Sequence, residues 1–472
     1  MKIPEQWSDQ GSYSPRQGNT LNLYIDGQES FAAIADSIAS ATSSVYATFA
    51  YVDLGFRLKP QENTMTILDL LLARAQAGVD VRILIWNPVL VNPIGTIPDP
   101  PTKSIAGLND GPRTVQARWD SANTIGPLYS APFGCHHQKT FVIDRKIAFV
   151  GGINSVQNYW DTPEHQIKEE HRVPYSITRP LQDSTYPNYP PLHDLFARIT
   201  GPCVQDVEAN FVQRWNGASF PHAEQTKPLT LSPSTVVTEG PLSLQITRTI
   251  APKKYADLPQ GESSILDSYL KAISAAQKLI YFENQYYYND AIDEALEHAL
   301  ARGVRIIGLL ARRPDQGQLQ GIWESTREWY VHLGLMAHRW ISRCGVELYY
   351  PSIAQPDLTS PGHFLFEDIY VHAKVLIVDD MFLTLGSANI SSYSMDFHSE
   401  MNVVCNDPAT ALTLRTRLWQ EHLQTDLPTD IFTDPEKAYS YWRADAQANV
   451  QAFKQKKQPH SRIFPWDFQF RL

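Results

Sequence analysis

Two stretches of the chain repeat one spacing of chemically active residues, and they restrict its folds more than any other feature. The first runs Cys135-His136-His137-Gln138-Lys139-Thr140-Phe141-Val142-Ile143-Asp144, the second Val371-His372-Ala373-Lys374-Val375-Leu376-Ile377-Val378-Asp379. Each reads H-x-K-x4-D in a β-branched, apolar run. Each leads to a small-residue turn ending in asparagine, Gly151-Gly152-Ile153-Asn154 and Gly386-Ser387-Ala388-Asn389. One interval separates His137 from His372, Asn154 from Asn389 and Tyr46 from Tyr281, while Gly78 and Gly303 stand closer together because intervening loops differ in length. A duplicated unit in one chain packs most simply about a pseudo-twofold axis, with both motifs in a shared cleft.

Side chains alternate between the faces of a β-strand, so His372 and Lys374 share a face, and the aspartate ends the run on the other. We therefore read the His/Lys pairs as the chemistry and Asp144 and Asp379 as turn residues. Gly151, Gly152, Gly386 and Ser387 let the backbone turn tightly or approach a ligand, and Asn154 and Asn389 place an amide donor beside each lysine. A lysine charge with an amide donor suits a phosphoryl group.

The surrounding sequence alternates strand and helix. Leu21–Ile25 reads as a strand, followed by an alanine-rich helix to about Thr42, a strand at Ser44–Tyr51, a helix through Thr66–Ala77 and a strand over Gly78–Trp86. The second half repeats the order, which predicts an α/β protein of two similar α-β-α sandwich halves with a parallel or mixed sheet and the active site at their interface. The expected boundaries are 1–225 for the first half, 226–241 for a linker, 242–425 for the second half, and 426–472 for an extension packed on it. Pro88–Pro112 and Asp161–Pro191 read as long rim loops. His136 is out of register with the motif and is read as structural. His165, Glu169, Glu170 and His171 read as a charged, solvated loop, and Trp323, Trp329 and Trp340 as packing.

The two motifs resemble those of the phospholipase D superfamily, and the likeness runs from about residue 20 to about 425. Ile280-Tyr281-Phe282-Glu283-Asn284-Gln285-Tyr286-Tyr287, His193-Asp194 with Gly201-Pro202 and Arg214-Trp215-Asn216, Leu244–Thr249 and Gly261–Ile265 are similar to further family segments. The resemblance implies a nucleophile at His137 and an acid at His372. It also implies a carboxylate behind each histidine, drawn from the opposite half: Glu400 behind His137 and Asp194 behind His372. Lys139, Lys374, Asn154 and Asn389 would bind the non-bridging oxygens and stabilise the charge of the transition state. The motifs hold no Asp/Glu/His ligand cluster, so neither a metal nor another cofactor is expected. Choline-preferring bacterial members carry aromatic residues two and six positions after the first asparagine. Here those are Val156 and Trp160, which predicts a single aromatic wall at Trp160 and a weak choline preference.

Composition narrows the partners. A formal net charge of −10 argues against a nucleic-acid partner, which needs a basic surface. No run is long enough to span a bilayer, and Met1–Trp7 lacks a cationic and then apolar signal pattern, so a cytoplasmic protein or one exported without a conventional signal peptide is expected. Cys135, Cys203, Cys344 and Cys405 have no zinc spacing and read as free thiols. Lys454, Lys456 and Lys457, followed by Phe464, Trp466, Phe468 and Phe470, read as a tail packed on the domain rather than a bilayer contact. The expected activity is metal-independent phospholipid hydrolysis to phosphatidic acid through a phosphohistidine, with transfer to alcohols and a monomer sufficient. A cardiolipin-synthase-type phosphatidyltransferase and a nuclease are the alternatives.

Overall fold

A computed structural model describes residues 7–8, 11, 13–62, 65–86, 115–120, 135–172, 190–218, 228–231, 237–312 and 345–467. The first half contributes strands β1 (Arg16–Ile25), β2 (Ser44–Phe49), β3 (Asp80–Trp86), β4 (Gln116–Asp120), β5 (Lys139–Ile143), β6 (Ile147–Gly151) and β7 (Leu195–Thr200). They lie in the order β4-β3-β2-β5-β6-β7-β1, with β4, β3 and β2 parallel and the other neighbours antiparallel. The second half contributes β8 (Leu242–Ile250), β9 (Leu279–Asn284), β10 (Arg305–Leu310), β11 (Val346–Pro356), β12 (Lys374–Val378), β13 (Phe382–Gly386) and β14 (Glu400–Cys405). Their order, β11-β10-β9-β12-β13-β14-β8, repeats that of the first half strand for strand. The two sheets meet along β1 and β8.

Helices cover the sheets because each presents an apolar stripe to them. α1 (Asp26–Ala39) and α2 (Ile67–Gln76) bury Phe31, Ile34, Ile38 and Leu71 against the first sheet, and α2 opens on a capping box of Thr66 and Asp69. In the second half α4 (Ser264–Ala275) and α5 (Asp290–Ala301) do the same with Ile265, Tyr269, Ile292 and Leu296. One further core runs through both halves, from Tyr46 and Trp215 to Val375 and Trp419. It takes in α3 (Val204–Gly217), α6 (Pro408–Leu423) and α7 (Pro435–Lys454). After α7, strand β15 (Ile463–Pro465) pairs antiparallel with β11, burying Phe464 and leaving Lys454, Lys456 and Lys457 exposed.

The duplicated motif occupies the same place in each sheet. β5 and β12 each begin at the motif lysine, and each ends one residue before its aspartate. Asp144 and Asp379 have left-handed φ angles of 51° and 53°, and so do the residues after them, which makes a tight hairpin turn. Both carboxylates cap the start of the neighbouring strand. Asp144 accepts from the backbone N–H groups of Thr42, Ser43 and Ser44, and Asp379 from those of Gln277, Lys278 and Leu279.

Pro88–Pro112, Trp323, Trp329, Trp340, Cys344, Phe468, Phe470 and most of Asp161–Pro191 lie outside the described residues, as does much of 226–241. Cys135, Cys203 and Cys405 are free thiols. The described residues contain no helix long and apolar enough to cross a membrane.

Candidate active site

The motif histidines stand just before their strands, because the backbone there is claimed by the opposite half. Leu192–His193 pairs in parallel with Tyr370–Val371, and the amides of His372 and Ala373 both donate to the His193 carbonyl at 2.8 and 3.1 Å. The same arrangement occurs across the cleft. His136 bridges to Ser399, and His137 N–H donates to the Ser399 carbonyl at 3.0 Å. In each case the residue before a motif histidine pairs with the residue before a carboxylate, so backbone pairing delivers the carboxylate to the ring.

Glu400 therefore comes to His137. The imidazole Nδ1 lies 3.0 and 3.1 Å from the two carboxylate oxygens and 3.1 Å from the Ser387 carbonyl. All three neighbours are acceptors, so Nδ1 carries the proton and Nε2 keeps its lone pair. Asp194 comes to His372, with Oδ2 at 2.6 Å from Nδ1. The two rings face each other across 6.4 Å between centroids. His372 is 3% exposed and the His137 side chain 12%, so the chemistry is screened from bulk water.

The carboxylates differ in support. Glu400 accepts from the hydroxyls of Ser387 at 2.5 Å and Ser394 at 2.7 Å, and His398 Nδ1 lies 3.4 Å away. Burial pushes its pKa up, but His137 and His398 hold it well below the usual carboxylate range. Asp194 accepts from the Leu195 N–H at 2.8 Å, and burial lifts its carboxyl to about 7 against the pull of Lys374. Burial lowers the His137 imidazole to about 4, with Glu400 opposing, and together with Lys374 it lowers His372 well below the ordinary value.

Lys139 Nζ donates to the His137 carbonyl at 2.7 Å, and Lys374 Nζ to the His372 carbonyl and to Gln285 Oε1. Burial brings Lys139 down to about 8. Asn154 and Asn389 are buried in equivalent turns, and the side-chain oxygen of each has no hydrogen-bond partner among the described residues. Gly151 packs on Leu195 and Phe196, and Gly386 on Met401 and Asn402, where a Cβ would collide with backbone in both.

Three readings from sequence change. Trp160 is not an open wall: it is 2% exposed, packed in the first-half core, because the chain turns inward after Tyr159. Among the described residues, the aromatics that meet the His372 ring are Tyr159, edge-on at 5.0 Å, and Tyr370, stacked at 6.3 Å. His165 is not part of a solvated loop, since it is 1% exposed and ion-paired with Asp161, Asp26 and Glu421. Glu170 does face solvent, and His171 is half-buried. The strand predicted from His372 to Asp379 starts only at Lys374. Of the remaining candidates, His136 is buried on Asp120 at 2.9 Å, as a structural residue should be. Glu283 is wholly buried between His193 and His422. Ser394, His398 and Tyr159 carried no sequence signal, since none belongs to a repeated spacing.

A family model described as Phospholipase D matches residues 37–293, more than half of the chain, and one described as Cardiolipin synthase, PLD-like domain matches residues 269–421. The chain is 24% identical to Phospholipase D A of Dictyostelium discoideum over 87% of its own length and 36% of that protein's. It is 23% identical to Phospholipase D alpha 1 of Arabidopsis thaliana over 90% of its own length and 69% of that protein's. It thus spans about a third of the first relative. The fold is also that of a phosphatidylserine synthase from Haemophilus influenzae Rd KW20, with a TM-score of 0.55 and 15% identity over 93% of this chain and 95% of that one.

Proposed function

The chain belongs to the phospholipase D superfamily, and from that footing we propose that it cleaves glycerophospholipids to phosphatidic acid and a free head-group alcohol through a phosphohistidine. The observation that carries the reading is the crossed pair of dyads, His137 with Glu400 and His372 with Asp194, facing each other at 6.4 Å.

In the first step the free Nε2 of His137 attacks phosphorus, and the P–O bond to the head group breaks. The departing alkoxide takes a proton from His372, and phosphatidyl is left on nitrogen. In the second step His372 accepts a proton from water, the oxygen attacks phosphorus, and the P–N bond breaks. Glu400 stabilises the imidazolium that forms at His137, as a carboxylate does behind a histidine base. Lys139, Lys374, Asn154 and Asn389 bind the non-bridging oxygens. Replacing water by an alcohol in the second step gives transfer instead of hydrolysis.

That exchange makes a phosphatidyltransferase the second reading, favoured by the cardiolipin-synthase description of the model matching residues 269–421. A nuclease is disfavoured by the net charge of −10. Mixed liposomes incubated with and without ethanol test the proposal. Phosphatidic acid, turning into phosphatidylethanol when ethanol is present, is the expected product. Cardiolipin from phosphatidylglycerol, with no phosphatidic acid, would favour the transferase. Inert lipid with cleaved nucleic acid would overturn the proposal.

A further inference from the structure

Behind Asp194, away from the reacting phosphate, four side chains from distant parts of the sequence converge in the interior. Asp26 and His193 are 0% exposed, His165 is 1%, and the Glu421 side chain 7%. Asp26 opens α1, His193 precedes Asp194, and Glu421 lies in α6, so both halves contribute. One potential ligand atom from each lies within 4.8 Å of the others.

Among the described residues, one contact inside this group is a hydrogen bond, His165 Nε2 with Glu421 Oε1, and the others are short approaches of poor hydrogen-bond geometry. His193 Nδ1 is 3.0 Å from Asp26 Oδ1 and 3.0 Å from Glu421 Oε1. His165 Nε2 is 3.4 Å from Asp26 Oδ2 and 3.1 Å from Glu421 Oε1. A single N–H shared between two oxygens is bent away from both, which weakens each bond. Asp26 Oδ2 and His193 Nδ1 have no hydrogen-bond partner among the described residues, although both are fully buried. Four donor atoms around a cation with bonds of about 2.0–2.1 Å would lie roughly 3.3 Å apart in a tetrahedron.

The outer nitrogens of both imidazoles are already occupied. His165 Nδ1 is held by Asp161 at 3.1 Å, and His193 Nε2 by Glu283 at 2.8 Å. A carboxylate on the outer nitrogen is the support that fixes the tautomer and ring direction of a metal-binding histidine. The charges agree. Asp26, Asp161, Glu283 and Glu421 are four buried carboxylates, and Arg172 and Arg462 are the fixed cations placed beside them among the described residues. The remaining two negative charges need either one divalent cation or two protons.

We propose that Asp26, His165, His193 and Glu421 form a structural site for a divalent transition metal, zinc by its ligand set of two imidazoles and two carboxylates. The ion would tie α1 and α6 together across the two halves. It would also stiffen the segment that carries Asp194, whose backbone N–H and carbonyl both bond to Asp26. It would lie apart from the phosphate and take no part in the chemistry.

The test is the zinc content of the full, tag-free chain purified from zinc-supplemented cells, with X-ray absorption at the zinc edge. The expected result is one zinc per chain, with two imidazole nitrogens and two carboxylate oxygens around it. In Glu421→Gln the content should fall about tenfold or more. Wild-type protein stripped of zinc in mild denaturant should melt at lower temperature and recover when zinc alone is added. Should Glu421→Gln fail to fold, the wild-type content and absorption spectrum decide. No zinc above the blank, full content in Glu421→Gln, or a spectrum with sulfur ligands would overturn the site and leave two protons as the compensating charge.

Discussion

Glu400 and Asp194 stand behind the two motif histidines in equivalent places, yet the halves hold them by different means. At the position where the second half has Ser387, the first has Gly152. The Ser387 hydroxyl donates to Glu400, whereas a Cβ at Gly152 would collide with the Asp194 carboxylate. Glu400 is thus backed by hydroxyls that favour its charge. Asp194 presses against bare backbone and has a buried charge cluster behind it. Equal strand order does not make equal sites: on the proposed mechanism the hydroxyls of Ser387 and Ser394 suit Glu400 to back a nucleophile, and the lesser support of Asp194 suits a proton donor.

Removing the histidines tests that division most severely. His137→Ala should lose roughly 10⁴-fold or more of kcat/KM and form no covalent intermediate. His372→Ala should be slow and accumulate phosphatidyl on His137, which mass spectrometry of the intact and digested protein reads directly. Adduct on His372 in the His137 variant would exchange the two roles.

The carboxylates sharpen the comparison. Glu400→Gln should cost roughly 10⁴-fold in kcat/KM, because it removes an ionised partner and turns an amide toward Nδ1. Asp194 has fewer donors supporting its charge, so Asp194→Asn should cost about tenfold less than that, measured under the same conditions. Equal losses would mean that the differing support has no catalytic consequence.

Next in size are the turn residues themselves. Gly152→Ala displaces the Asp194 carboxylate and should lower kcat about 10²-fold. Ser387→Ala leaves Glu400 in place with one charge-assisted donor fewer, a loss of about 1.5 kcal/mol or roughly tenfold, so its rate should remain above that of Gly152→Ala. The reverse ranking would show that the hydroxyl matters more than the clearance.

The smallest effect is in the pH profile. With His137 lowered to about 4, its attacking nitrogen stays unprotonated down to that pH. kcat/KM should therefore rise from neutrality downward, as His372, itself lowered well below the ordinary value, gains the proton it donates, and loss of the His137 base should cut it only below about 4. An acid limb near the ordinary imidazole value would mean that the ring is hydrated in the working enzyme.

Much of this is legible in the sequence. Apolar alternation and the repeated interval located β2, β3, β5, β9 and β12 and the helix at Thr66–Ala77 to within a few residues. They also singled out His137, Lys139, Asn154 and their counterparts, because the chemistry there is written in adjacent positions. The pairing of Glu400 with His137 and Asp194 with His372 was expected only from family likeness, since no spacing relates residue 137 to residue 400. Trp160 was misread because its distance from Asn154 says nothing of which way the chain turns between them. His165 was misread because its nearest charged neighbours in sequence, Glu169 and Glu170, are not its neighbours in space.

The sequence by itself determined the duplicated unit, the strand-and-turn frame of each motif and the reactive groups, since these depend on local periodicity and on residues within one hairpin. Only the tertiary structure decided what stands behind each histidine, which aromatics reach the cleft, and that Asp26, His165, His193 and Glu421 meet. Those outcomes depend on backbone pairing between the halves, at His136 with Ser399 and Val371 with His193. Contacts between residues hundreds of positions apart leave no period in the chain to be read.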